Sequence, residues 1–433
     1  MAHRSFFALA SAILASGCTQ LTLSWADLKP DGAEATPEAL GSFEGDGPVA
    51  DAEAWRNERA PKFRQALERN VYGAMPDASE TRILDRKVLN EDAFGGLGVV
   101  EEYVIAAAAT FDGVAVSVKS ELGGDGFIMD VATPKGAVGP VPVILMQTFC
   151  PRWATLPDPA VTRPPDMAER GGFAYSIETY VFGRYICTPP VEDILKAGYA
   201  IATIYPGEFA PDRRTEGLAE LRRLSVGHQN DETRWGAIAA WAWAFSRMTD
   251  ALEQDSRYDR NAFVTWGHSR YAKSALLAAA FDERIDGVVS HQSGTGGASL
   301  NRDKAGESVD AITASYPHWF ARAYASFAGR EDEMPIDQHM LLALIAPRPI
   351  LLGNARRDVW SDPNGALRAA IGADPVYELL GAGGLTARRL DEFDPQAEIA
   401  MWIRPGTHGV VKEDWPAFLE FLDAHFKNRR MPD

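Results

Sequence analysis

Basic charge is scarce: 43 lysines and arginines stand against 60 aspartates and glutamates in 433 residues, a formal charge of -17. Phosphate binding needs a basic stripe, so nucleic acid is not an expected partner. Cysteine is scarcer still, with Cys18, Cys150 and Cys187 only, and no Cys/His cluster has zinc-like spacing. No glycine loop suits a phosphate, so neither cofactor nor metal is expected. There is no internal repeat, and beyond the lead peptide no stretch is long and apolar enough to span a bilayer.

The lead peptide itself is informative. Arg4, an apolar run from Phe6 to Leu14, and small residues Ala15, Ser16 and Gly17 before Cys18 have the layout of a secretory signal. Export is therefore expected, to the periplasm or as an outer-membrane lipoprotein. A cysteine after such a run resembles a bacterial lipobox, so a lipid anchor on Cys18 and plain signal cleavage both stand. If Cys18 carries lipid, Cys150 and Cys187 remain as a pair in an oxidising compartment. A disulfide and two buried thiols are the alternatives there.

Three segments are expected: a signal at 1–17, a tether and extension at 18–60, and a catalytic domain at 61–433. Within the last, apolar strand runs alternate with helical stretches. Val141 to Thr148, Tyr199 to Tyr205, Ala262 to Trp266, Gly287 to Ser290, Pro349 to Leu352 and Ile399 to Ile403 read as strands. An early group comprises Val99 to Ala108, Val114 to Val118 and Phe127 to Thr133. Trp235 to Leu252, Ser274 to Ala280 and Trp415 to Phe426 read as helices. The pattern predicts an α/β-hydrolase fold: a mostly parallel central sheet flanked by helices, with inserted loops. Chemistry then collects at the carboxyl ends of the strands.

One such end reads Gly267-His268-Ser269-Arg270-Tyr271-Ala272-Lys273 and leads into an alanine-rich helix. A serine on a sharp strand-to-helix turn presents its hydroxyl above the sheet, so Ser269 is the candidate nucleophile. Tyr271 stands where the common elbow has a small residue. A base should follow the last strand, and His408 in Gly406-Thr407-His408-Gly409 does so. The orienting acid should follow the strand before it; Asp358 leads that loop, and Asp362 is the alternative. A second oxyanion donor is expected at the backbone of Phe149 or Cys150, worth on the order of 3 kcal/mol of barrier.

The stretch from Gly267 to Lys273 resembles the G-x-S-R-x-G-K signature of the glucuronoyl esterases and their bacterial relatives. Further matches are Ser293-Gly294-Thr295-Gly296-Gly297, Pro317-His318-Trp319-Phe320, and Asp337-Gln338-His339 running into Leu344 to Pro349. The resemblance implies hydrolysis of esters of glucuronic acid in plant cell wall polysaccharide. It assigns Ser269 as nucleophile, His408 as base and Arg270 to the oxyanion, through its N–H and guanidinium. It places Lys273, Trp360 and Glu307 on the sugar. Many members carry a catalytic glutamate where this chain has Gln292, so the acid must come from the later loop. Ala272 replaces a family glycine.

Rival readings of these residues are an acetyl (xylan) esterase or other carboxylesterase on the same triad, and a non-catalytic exported carbohydrate-binding protein. Arg270 could simply pair with an acid, Lys273 could be a solvated helix charge, and Trp360 could be structural. Trp153, Tyr175, Tyr180, Phe182 and Tyr185, in the insertion between Pro151 and Pro190, either stack on sugar or pack among themselves. The chain is expected to act as a monomer.

Overall fold

The computed structural model describes residues 32–120, 124–161 and 181–427. The lead peptide, Cys18, Tyr175 and Tyr180 lie outside the described residues.

The strands are β1 (Ala78–Asp92), β2 (Gly98–Phe111), β3 (Val114–Ser117), β4 (Phe127–Pro134), β5 (Val141–Gln147), β6 (Ala200–Ile204), β7 (Tyr258–His268), β8 (Gly287–His291), β9 (Ile350–Ala355) and β10 (Ile399–Arg404). They form one sheet in the order β1-β2-β4-β6-β5-β7-β8-β9-β10, with β3 beside β2. Pairings from β1 to β6 are antiparallel, and those from β6 through β5 to β10 are parallel. The parallel strands are continuous apolar runs because both faces are covered. Along β5, Val143 and Leu145 enter one core while Ile144 and Met146 enter the other. That is the two-residue period of a strand buried on both sides.

The larger core holds α1 (Ala60–Leu67), α2 (Ala237–Leu252), α3 (Arg270–Phe281), α4 (Gln338–Ala343) and α5 (Pro363–Leu379). The opposite face is closed by α6 (Asp414–Phe426), whose Trp415 stacks on Trp266 of β7 with ring centroids 5.4 Å apart. Strand β5 is the point where the chain changes direction: β6 lies on one side of it and β7 on the other. A crevice at the carboxyl ends is the geometric consequence.

Three differences from the sequence reading have physical causes. Helical residues run unbroken from Ala52 to Tyr72, across the expected boundary at 60, because Trp55, Phe63 and Leu67 are buried in the main core. Strand β1 was not expected: it is an edge strand, rich in charge and mostly exposed, so it lacks an apolar signature. Helix α5 contains Gly365, Gly372 and Pro375, yet it forms because Asp362 caps it, Pro363 opens it and ten of its residues are buried.

Trp153, Phe182 and Tyr185 of the long insertion pack against the second core. The end of the insertion is held twice over. Phe182 O accepts from Val410 N (2.7 Å) and Tyr185 N donates to Val410 O (3.1 Å), two residues past His408. Cys187 is joined to Cys150 by a disulfide, Cα atoms 5.3 Å apart. The bridge thus ties the loop after β5 to the segment clasping the His408 loop. Cys187→Ser is expected to lower the unfolding free energy by about 3 kcal/mol, measured by urea unfolding without reductant; an unchanged midpoint would make the bridge redundant.

Candidate active site

Ser269 sits between β7 and α3 with φ 56° and ψ -122°, a backbone state that a non-glycine residue adopts only under constraint. Two features impose it. A Cβ on Gly267 would lie 2.1 Å from Tyr271 O, so only glycine lets the turn fold back this far. Ser269 N donates to His291 O of the neighbouring strand at 2.9 Å. The side chain of Tyr271 points away into the core, 4.8 Å from Phe149 and 5.1 Å from Trp241 between ring centroids. A large residue two after the serine is therefore accommodated. Ser269 itself is half-exposed at the start of α3, whose free N–H groups and dipole favour developing negative charge.

His408 follows β10, and its ring lies 4.6 Å from that of His268, the residue before Ser269. Its Nδ1 is 2.7 Å from Asp358 Oδ2 and 3.3 Å from Ser361 Oγ. Asp358 is fully buried, which would push its carboxyl up. The charge and hydrogen bond of His408, with side-chain and backbone hydrogen bonds from Ser361, outweigh burial and hold it below the usual aspartate value. Asp362, the alternative acid, accepts from Gly365 N at 2.9 Å as the cap of α5, and burial raises it. The structure thus brings Asp358, and not Asp362, onto the imidazole.

Arg270 does pair with an acid: Nη1 donates to Asp212, which also accepts from His318 Nε2 (2.9 Å) and Trp319 Nε1 (2.7 Å). The guanidinium carbon stands 5.3 Å from the Phe149 ring centre and 5.1 Å from that of Trp319. Held between two rings and one carboxylate, the cation stays beside the turn instead of sweeping through solvent. A cavity of about 200 Å³ opens on this flank, lined by Phe149, Tyr205, Pro211, Asp212, Arg270 and Tyr271. Asp212 was not singled out from sequence. Its place eight residues beyond the carboxyl end of β6 was the available signal.

The other flank holds Lys273, Glu307 and Trp360. Lys273 is buried, not solvated: Nζ donates to Ser293 O and to Thr295 O (2.6 Å), so it braces the Ser293-Gly297 loop. Burial pulls its ammonium down to about 8 against the attraction of Glu307. Glu307 is buried too, which raises its carboxyl, while Lys273, Lys304 and a hydrogen bond from Trp360 oppose the rise. A Cβ on Gly306 would lie 2.2 Å from Val359 O; this close approach lays Glu307 against the acid loop. Glu307 N donates to Trp360 O at 3.2 Å, and the Trp360 side chain is 49% exposed, open to a ligand. Lys304, also missed from sequence, donates to Thr295 Oγ1 in the same cluster.

Comparison with known proteins identifies the family and the fold. Residues 227–381 match the model of the fungal glucuronyl esterases. Carbohydrate esterase MZ0003, from an unknown prokaryotic organism, is 33% identical over 390 residues, which span 87% of this chain and 86% of the relative. The chain belongs to the glucuronoyl esterase family. A promiscuous CE15 esterase from a marine bacterial metagenome superposes with TM-score 0.76 at 30% identity, over 93% of this chain and all of that one (100%). A glucuronoyl esterase from Solibacter usitatus gives 0.73 at 30% identity, over 91% and 98%. A 4-O-methyl-glucuronoyl methylesterase from Phanerochaete carnosa is 27% identical over 272 residues, 57% of this chain and 64% of that one. As a member of this family of α/β-hydrolases, the chain is a carboxylic ester hydrolase.

The acid assignment is testable. Asp358→Asn is expected to lower kcat by about 10³- to 10⁴-fold, because an amide neither fixes the tautomer nor stabilises the imidazolium. Asp362→Asn should cost less than about tenfold, since asparagine caps a helix as well as aspartate does. Steady-state rates of both variants decide the point, and the reverse order would reassign the acid.

Proposed function

We propose that the protein hydrolyses esters of 4-O-methylglucuronic acid in plant cell wall polysaccharide through an acyl-enzyme on Ser269. The observation that carries this reading is a serine on a strained turn, between a carboxylate-bound imidazole and a lysine–glutamate–tryptophan flank. The names of the Solibacter and Phanerochaete relatives support the substrate class.

In this reading His408 Nε2 takes the Ser269 proton as Oγ attacks the uronoyl carbonyl, and Asp358 stabilises the imidazolium so formed. The N–H of Arg270 and one from Phe149 or Cys150 receive the oxyanion. The Arg270 guanidinium, fixed by Asp212, adds positive potential where charge develops. His408 returns the proton to the departing alcohol, and water then repeats the sequence to free the uronic acid. Glu307 and Lys273 offer an acceptor and a donor to sugar hydroxyls, and the open face of Trp360 offers a stacking surface. The acetyl-esterase reading uses the same triad but gives the exposed face of Trp360 no ligand.

A substrate panel separates them. Methyl and benzyl glucuronate should be hydrolysed well above aryl acetates, and Ser269→Ala should abolish turnover while leaving the thermal midpoint unchanged. Hydrolysis of acetates alone would favour the rival, and full activity in the alanine variant would remove the mechanism.

We also propose export, supported by the lead peptide and by a disulfide that suits an oxidising compartment. Palmitate labelling of the full chain is expected in the bacterial host and should vanish in Cys18→Ser; no label in either would mean plain signal cleavage.

A further inference from the structure

The loop that carries His408 is gripped on both sides of the histidine by one buried amide. Gln292 Nε2 donates to Thr407 O at 3.4 Å, and Gln292 Oε1 accepts from Gly409 N at 2.8 Å. Its own backbone is pinned as firmly. Gln292 N donates to Gly353 O on β9 (2.7 Å), and its carbonyl accepts from Ser361 Oγ (3.4 Å), the hydroxyl that also meets His408 Nδ1. The residue is 1% exposed and held at φ 54°, a left-handed state in which a side chain without a task would normally be replaced by glycine. Arg404 completes the grip from the strand side, with Nη2 donating to Thr407 O (3.2 Å) and Gly409 O (2.7 Å).

We propose that Gln292 is a positioning residue: its side-chain amide sets the height and register of His408 above Ser269. The inference rests on the triad reading and adds a component to it. The argument is one of chain length. Between Arg404, the last residue of β10, and Val410, clasped by Phe182 and Tyr185, the base stands on a short, glycine-flanked loop that regular secondary structure does not hold. Asp358 and Ser361 fix the imidazole through Nδ1 only. Rotation and lift of the loop backbone are left to whatever holds Thr407 and Gly409, and Gln292 is the side chain that binds the carbonyl of one and the N–H of the other. A misplacement of about 1 Å there is enough to cost on the order of 10²-fold in rate.

Two full-length variants test this. Gln292→Met keeps length but removes both bonds; Gln292→Glu keeps the acceptor for Gly409 N–H and loses the donor to Thr407 O. Each is assayed for kcat and KM on an ester hydrolysed by the parent, and for the rate at which an aryl phosphonate modifies Ser269. The methionine variant is expected to lose about 10- to 100-fold in kcat and in phosphonylation rate together, with KM changed less than about twofold. The glutamate variant should lose less, and its new carboxylate should move the acidic limb of kcat/KM upward by favouring the imidazolium. The charged and titratable groups already facing His408 are Asp358, Glu307, Arg404 and the buried imidazoles of His268 and His291, all unchanged in these variants.

Parent-like kcat and phosphonylation in Gln292→Met would overturn the proposal, as would a loss equal to the loss of folded protein. Should the methionine variant not fold, parent-like kcat and phosphonylation rate in Gln292→Glu, which lacks the donor to Thr407 O, overturn it alone. Loss of the triad reading itself would show differently, as turnover surviving in Ser269→Ala.

Discussion

The turn at Ser269 depends on one missing atom. Gly267 lies so close to the backbone of Tyr271 and Ala272 that any Cβ would sit inside it. Only this approach lets β7 reverse into α3 within a single residue, lifting a hydroxyl onto the end of a helix. The rest of the site is arranged around that point. Because β7, β8, β9 and β10 are parallel and adjacent, their carboxyl ends deliver consecutive loops to the same rim. Ser269, Gln292, Asp358 and His408 arrive there one strand apart. A parallel sheet brings residues far apart in sequence together without any long excursion of the chain.

The motifs that carry the family resemblance do their work one layer behind this rim. Asp337 accepts from Asn301 N (2.7 Å) and Gln338 N (2.8 Å), and Gln338 donates to Gly297 O (2.8 Å), so this pair fixes the loop that Lys273 braces from the other side. His318 and Trp319 hold Asp212, which holds Arg270. Arg348 donates to Ala279 O (2.7 Å) and Ile285 O (2.6 Å), closing the far end of α3. Each is a buried or part-buried polar group whose partners are backbone atoms or charges of the site. In such networks one lost donor strands a buried acceptor, at about 1–3 kcal/mol. Ser269 and His408 thus sit on a hydrogen-bonded support, which limits how far they drift from reacting geometry.

What could be read in the sequence follows this division. The central strands were legible because burial on both faces writes an unbroken apolar run, and the turn because glycine, serine and an alanine-rich helix coincide. The position of His408 could be read from topology, since chain order and strand ends restrict the choice; the same reasoning narrowed the acid only to Asp358 or Asp362, which the contact with the imidazole separates. Asp212, Lys304 and Arg404 could not: each acts on the site through a tertiary contact with no local spacing to announce it. Strand β1 escaped notice because an edge strand advertises charge, and α5 because burial and a good cap override its glycines and internal proline. The aromatics described in the insertion turn inward to the second core, a partition that composition does not encode.

In the proposed mechanism, Gln292 shows why the acid can follow β9. An imidazole after β10 is reachable from the ends of both β8 and β9, because the base loop folds back over its neighbours. A carboxylate on either strand could stabilise the imidazolium, and one buried acid suffices; a second would bring another charge into a site where Asp358 already has no exposure. A neutral amide on β8 avoids that desolvation while still offering both a donor and an acceptor to the loop. The division of labour follows from elementary electrostatics: charge on the strand next to the base, and neutral hydrogen bonds on the strand beyond it.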